Sequence, residues 1–105
     1  MDKPSAQPAN VEKLTTSLEN GTSCDVGLAL RELPNSQERF ALLQQITDLH
    51  EKRRQDDPNL PDLKLVISAS SNGSGGATIL RNEGGLLEVD WTDKGQFGGV
   101  CLGGK

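Results

Sequence analysis

Apolar residues recur every three or four positions from Val11 to Leu49 and every second position from Leu63 to Trp91, so helices are expected first and strands after them. The period changes at Pro61. The longest helical pattern covers about 36–55, where Phe40, Leu42, Leu43, Ile46 and Leu49 form a broad apolar stripe and Gln44, Gln45, Asp48 and Glu51 face away. Asn35 and Glu38 have capping-box spacing, with Asn in place of the usual Ser or Thr. Lys52, Arg53 and Arg54 put positive charge at the carbonyl end of the helix dipole, and Asp56-Asp57-Pro58 ends the pattern.

Two shorter helices are expected before it. Val11, Leu14 and Leu18 share a face behind Asn10, which stands at an N-cap position, and Asn20-Gly21 supplies the stop. Val26, Leu30 and Leu33 share a face over 25–33, and Pro34 ends that helix.

After Pro61, Leu63, Leu65, Ile67 and Ala69 alternate with Lys64, Val66 and Ser68, as in a strand with one buried face. Two further strands are predicted at 77–82 and 86–92, the last with Leu87, Val89 and Trp91 on one side and Glu88 and Asp90 on the other. Short links imply antiparallel pairing. The fold class is therefore α+β: N-terminal helices, dominated by the one at 36–55, packed on a C-terminal antiparallel three-stranded β-meander.

The ends are read separately. Residues 1–9, with Pro4, Ser5, Gln7 and Pro8, have the composition of a disordered tail, which leaves 10–105 as one small domain. The glycine-rich end, 95–105, either adds a fourth strand at Val100-Cys101-Leu102 or frays, because ordering glycine costs conformational entropy. Between the strands, Asn72-Gly73-Ser74-Gly75-Gly76 reads as a long, mobile connection and Asn82-Glu83-Gly84-Gly85 as a tighter turn.

Composition narrows the function classes. The chain has 105 residues, 33% hydrophobic and 25% charged, and its only aromatics are Phe40, Trp91 and Phe97. A formal net charge of -4 opposes broad nucleic-acid binding, and three aromatics make a poor stacking platform for single strands. No apolar run approaches membrane-span length and the first residues lack a secretory core, so the expectation is a protein with no membrane insertion, cytoplasmic or exported without a cleavable signal peptide. In that setting Cys24 and Cys101 are expected to be free thiols.

Motifs for catalysis, cofactors and metals are incomplete. Gly73, Gly75 and Gly76 lead into a strand, with neither the lysine of a phosphate loop nor the third glycine of a dinucleotide site. His50-Glu51 starts a zinc-protease pattern that fails at Arg54, so His50 reads as a partly exposed boundary residue of the helix. Glu88 and Asp90 have the spacing of a carboxylate pair, and the solvent face of a sheet has the same pattern. No catalytic, cofactor or metal residues are assigned, and no motif resembles a known family.

A partner surface remains. The sheet face away from the long helix carries Val66, Leu80 and Leu86, with Glu88 and Asp90 at the rim, and these five are the expected contact residues of a small acidic, non-catalytic protein that binds a protein partner through a sheet face or an edge strand. Such a protein would be a monomer or a weak dimer. An exported bacterial-type secretion-system substrate with an unfolded N-terminal leader is the alternative. A small hydrolase or metal-dependent enzyme ranks third, and needs Cys24, Cys101, His50 or the Glu88/Asp90 pair to meet in one cleft.

Overall fold

The computed structural model describes residues 8–102. Three helices come first, α1 (Pro8–Glu19), α2 (Cys24–Glu32) and α3 (Ser36–Asp56), followed by β1 (Leu63–Ala69), β2 (Gly75–Arg81), β3 (Gly84–Trp91) and β4 (Phe97–Cys101). The sheet is an antiparallel meander in the order β1-β2-β3-β4. The α+β class with a dominant third helix is as expected, and the strand count is corrected from three to four. The fourth strand forms because the segment Phe97–Cys101 pairs along the whole of Leu87–Trp91 despite its glycines.

Helix α3 follows its pattern closely. The Asn35 side chain accepts a hydrogen bond from the Glu38 N–H at 2.9 Å, and Leu42, Leu43, Ile46 and His50 are buried along one face. In α1 the cap is displaced: the helix already includes Pro8, so Asn10 sits inside its first turn and does not cap it. Proline is tolerated there because first-turn N–H groups have no intrahelical acceptor. The expected tail falls outside the described residues except for Pro8 and Ala9, which belong to α1. Of the expected fraying end, residues 95–102 are ordered in the β3–β4 hairpin and 103–105 lie outside the described residues.

One hydrophobic cluster joins the layers, with Val11, Leu14 and Leu18 of α1, Val26 and Leu30 of α2, and Leu42, Leu43 and Ile46 of α3 meeting Ala77, Ile79, Leu87, Val89 and Trp91. All three helices lie on one face of the sheet. Burying some fifteen apolar side chains at about 25 cal/mol per Å² is the main term holding this two-layer arrangement together.

Two turns set the strand register. Asn82 (φ 51°) and Glu83 (φ 72°) form the two-residue link between Arg81 and Gly84, a type I′ geometry that matches strand twist. Beyond it the register slips between Ile79 and Leu80, so that Ile79 faces Leu87 while Leu80 faces Gly85. Leu86 is the extra residue of this bulge. The glycines of the first hairpin are also placed differently from expectation: Gly75 and Gly76 belong to β2, and the loop is the short segment Ser70–Ser74, closed by Ser70 N–H to the Ser74 carbonyl at 3.0 Å.

Candidate functional site

The sheet has one covered and one uncovered face. Through the register, Val66, Thr78, Glu88 and Val100 line up across four strands, as do Ser68, Gly76, Asp90 and Gly98, all on the side opposite the helices. No described element covers them. Val66 is 50% exposed and Val100 67% exposed, flanked by the exposed carboxylates of Glu88 and Asp90. Gly76 keeps the centre low, since a Cβ there would come within 2.9 Å of the Val89 carbonyl oxygen. The result is a shallow groove of about 330 Å³ lined by Val66, Ser68, Thr78, Glu88 and Asp90.

Of the five residues expected to form the contact surface, four lie here. Val66, Glu88 and Asp90 are exposed, and Leu80, half-buried, stands opposite Lys64 on the same face. Leu86 is a correction. It is 4% exposed inside the core, because the bulge turns both Leu86 and Leu87 inward where strict alternation would have separated them. Ile67 departs the other way, expected on the buried face yet 40% exposed. Val100 joins the open face through β4, the fourth strand that the glycine-rich end offered at Val100-Cys101-Leu102 as the alternative to fraying, and which spans Phe97–Cys101.

The titratable residues fall into separate places. His50 is buried, a correction to its expected partly exposed position: Nδ1 lies 2.6 Å from Glu19 Oε2 and Nε2 lies 2.8 Å from the Pro61 carbonyl oxygen. A carbonyl can only accept, so Nε2 carries a proton and is fully engaged. This is a brace between α1, α3 and the entry to β1. Arg53 completes it by donating to Glu19 Oε1 and Thr16 Oγ1, both at 3.0 Å, and Arg81 donates to the Glu19 carbonyl oxygen. The basic run at 52–54 thus serves Glu19 through Arg53, and Asp62 through Arg54 at 3.3 Å.

A second polar centre surrounds Arg39, which is buried where the amphipathic pattern gave no warning. Its Nε donates to the Leu30 carbonyl at 2.9 Å and its Nη2 to the Leu33 carbonyl at 2.8 Å, satisfying the end of α2. Its guanidinium also lies 4.8 Å from the Trp91 ring centroid and 5.1 Å from that of Phe97. Burial pushes the Arg39 pKa down from its ordinary value. Trp91 contacts Phe40 as well, so every aromatic residue of the chain meets in one cluster. The Trp91 Nε1–H donates to Ser36 Oγ at 2.6 Å, and the Ser36 hydroxyl donates to the Gly73 carbonyl at 2.8 Å. In that loop, Asn72 Oδ1 accepts from the Ser74 N–H, and the Gly73 N–H donates to the Ser70 carbonyl. The segment is a closed turn tied to α3.

Cys24 and Cys101 form a disulfide, which corrects the expectation of free thiols. The start of α2 meets the end of β4 with a Cα–Cα distance of 5.0 Å, inside the range of about 4.4–6.8 Å that the bond requires. Ser23 reinforces the junction. Its N–H donates to the Leu102 carbonyl at 2.8 Å, its hydroxyl donates to the Leu86 carbonyl at 2.6 Å, and Leu102 N–H returns a bond to Ser23 Oγ at 3.0 Å.

The hydrolase grouping therefore does not assemble: the cysteines are bonded to each other where α2 meets β4, His50 is buried on α3 against Glu19 of α1, and Glu88 and Asp90 stand on the open face. Among the described residues no group of three or more His, Cys, Asp or Glu side chains is placed to hold a metal ion, and no helix is long and apolar enough to cross a membrane. No protein-family model matches the chain, and neither the curated proteins nor the solved structures give a match.

Proposed function

We propose that this protein acts by binding another protein through the uncovered face of its sheet, with Val66, Leu80 and Val100 as apolar contacts and Glu88 and Asp90 as the charged rim. The single observation that carries this reading is that all three helices pack on the opposite face while two valines remain at least half exposed beside two carboxylates. An apolar patch on a chain of this size favours a partner, and the carboxylates select its chemistry. The partner presents an apolar patch edged by Lys or Arg, since like charge opposite Glu88 and Asp90 is repelled. Charge reversal at both positions, Glu88→Lys with Asp90→Lys, abolishes association with the partner while leaving thermal unfolding of the free protein unchanged. Retained association would remove the reading.

The disulfide favours the second reading, an exported protein, for location. Such bonds persist in oxidising compartments and are rare in the reducing cytosol. Rapid alkylation of free thiols in the native host tests this: blocked, fully oxidised Cys24 and Cys101 outside the cytoplasm support export, and alkylated thiols in the cytoplasmic fraction count against it. Export and face binding are compatible, the first giving the place and the second the action.

A further inference from the structure

We propose that the Cys24–Cys101 disulfide is a redox-operated latch that decides whether β4 belongs to the sheet. The strand is weakly anchored otherwise. Gly98, Gly99, Val100 and Cys101 are all exposed, and within β4 only Phe97 packs inward, stacked on Trp91. Gly99 adopts φ 151°, and any Cβ there would overlap the Glu88 carbonyl oxygen, so the ladder contains a residue that only glycine can supply and that is costly to order. Beyond its ladder with β3, what holds the far end is concentrated at one point: the disulfide at position 101, and the paired hydrogen bonds between Ser23 and Leu102 next to it. Ser23 and Cys24 are adjacent, so breaking the covalent link leaves the strand end to those two bonds and its edge ladder with Leu87 and Glu88.

The bond is also open to attack. Cys101 is exposed and Cys24 half-buried, and both line a groove of about 420 Å³ with Leu28, Arg31 and Val100. A thiolate of an external dithiol approaches Cys101 Sγ along this groove and forms a mixed disulfide with it. Cys24 Sγ departs with the bonding pair as a thiolate, in the first turn of α2 where the helix dipole favours negative charge. The second thiol of the reductant then attacks the sulfur of its own first arm, releasing Cys101. In balance, one disulfide becomes two thiols, one dithiol becomes a disulfide, and two electrons and two protons pass to the protein.

Reduction by this route leaves the rest of the sheet in place. β3 keeps its full ladder with β2, and Ala77, Ile79, Leu87 and Val89 stay under the helices. Release of β4 converts β3 into a sheet edge and withdraws Val100 from the open face. The inference does not depend on the face-binding reading, because it is read on the free protein.

Amide hydrogen exchange on the full chain, oxidised and after reduction with dithiothreitol under native conditions, tests it. The expected result is an exchange rate for the Gly98–Cys101 amides that rises at least about tenfold on reduction, while those of Ala77–Ile79 change by less than about twofold. The double variant Cys24→Ser with Cys101→Ser reproduces the reduced pattern without reductant. Unchanged β4 protection after reduction, a bond that resists dithiothreitol in the folded state, or loss of β2 protection in step with β4 would each overturn the latch.

Discussion

The Arg39 guanidinium lies 4.8 Å from the Trp91 ring while its Nε and Nη2 donate to the last carbonyls of α2, at Leu30 and Leu33. One side chain thus joins the helical layer to the aromatic cluster of the sheet. Arg39→Ala takes the donor from the Leu33 carbonyl, leaves the Leu30 carbonyl with the Leu33 N–H alone and removes the cation from two rings, and is expected to cost about 2–4 kcal/mol in urea unfolding. Arg39→Lys keeps the charge and loses the fork, so it falls between wild type and Arg39→Ala.

Glu19 is the corresponding brace for α1 and α3. Its carboxylate faces His50 at 2.6 Å and Arg53 at 3.0 Å while almost wholly buried. Glu19→Ala strands both partners and is expected to destabilise by about 2–4 kcal/mol. Arg54→Ala, which removes the exposed pair with Asp62, shifts stability by less than about 0.5 kcal/mol in the same denaturation series.

The β2–β3 turn contains a correctable strain. Glu83 sits at φ 72°, where a Cβ costs roughly 1 kcal/mol. Glu83→Gly is therefore expected to raise stability by a few tenths to about 1 kcal/mol, seen as a higher melting temperature. Asn82 tolerates its own φ of 51° and also accepts from the Asp62 N–H at 3.0 Å, so Asn82→Ala is destabilising.

These residues mark where the sequence was readable and where it was not. The α3 cap at Asn35 and the bounds of β1 follow from local rules: a side-chain acceptor three residues ahead of a free N–H, and strict alternation after a proline. What escaped depends on distant geometry. Cys24 and Cys101 are 77 residues apart, and only the packing of α2 against β4 reveals that they meet. Arg39 and His50 look like polar members of a helix face until the carbonyls of Leu30, Leu33 and Pro61 are placed around them.

Leu86 shows the same limit in a strand. A bulge adds one residue and turns it inward, and alternation alone assigns it to the wrong face. The contrast gives a direct test of that assignment. Leu86→Asp buries a charge in the core and is expected to unfold the protein, whereas Val66→Asp on the open face shifts stability by less than about 1 kcal/mol.

The measurement that bears most directly on the uncovered face is site-specific photo-crosslinking in the native host, with the probe at Val66 or Val100 and a control at Gln45 on the exposed side of α3. The account predicts one discrete cross-linked protein from positions 66 and 100, absent from position 45 and lost when Glu88→Lys and Asp90→Lys are introduced. Cross-links of equal yield from all three positions, or none from the sheet face, would contradict it.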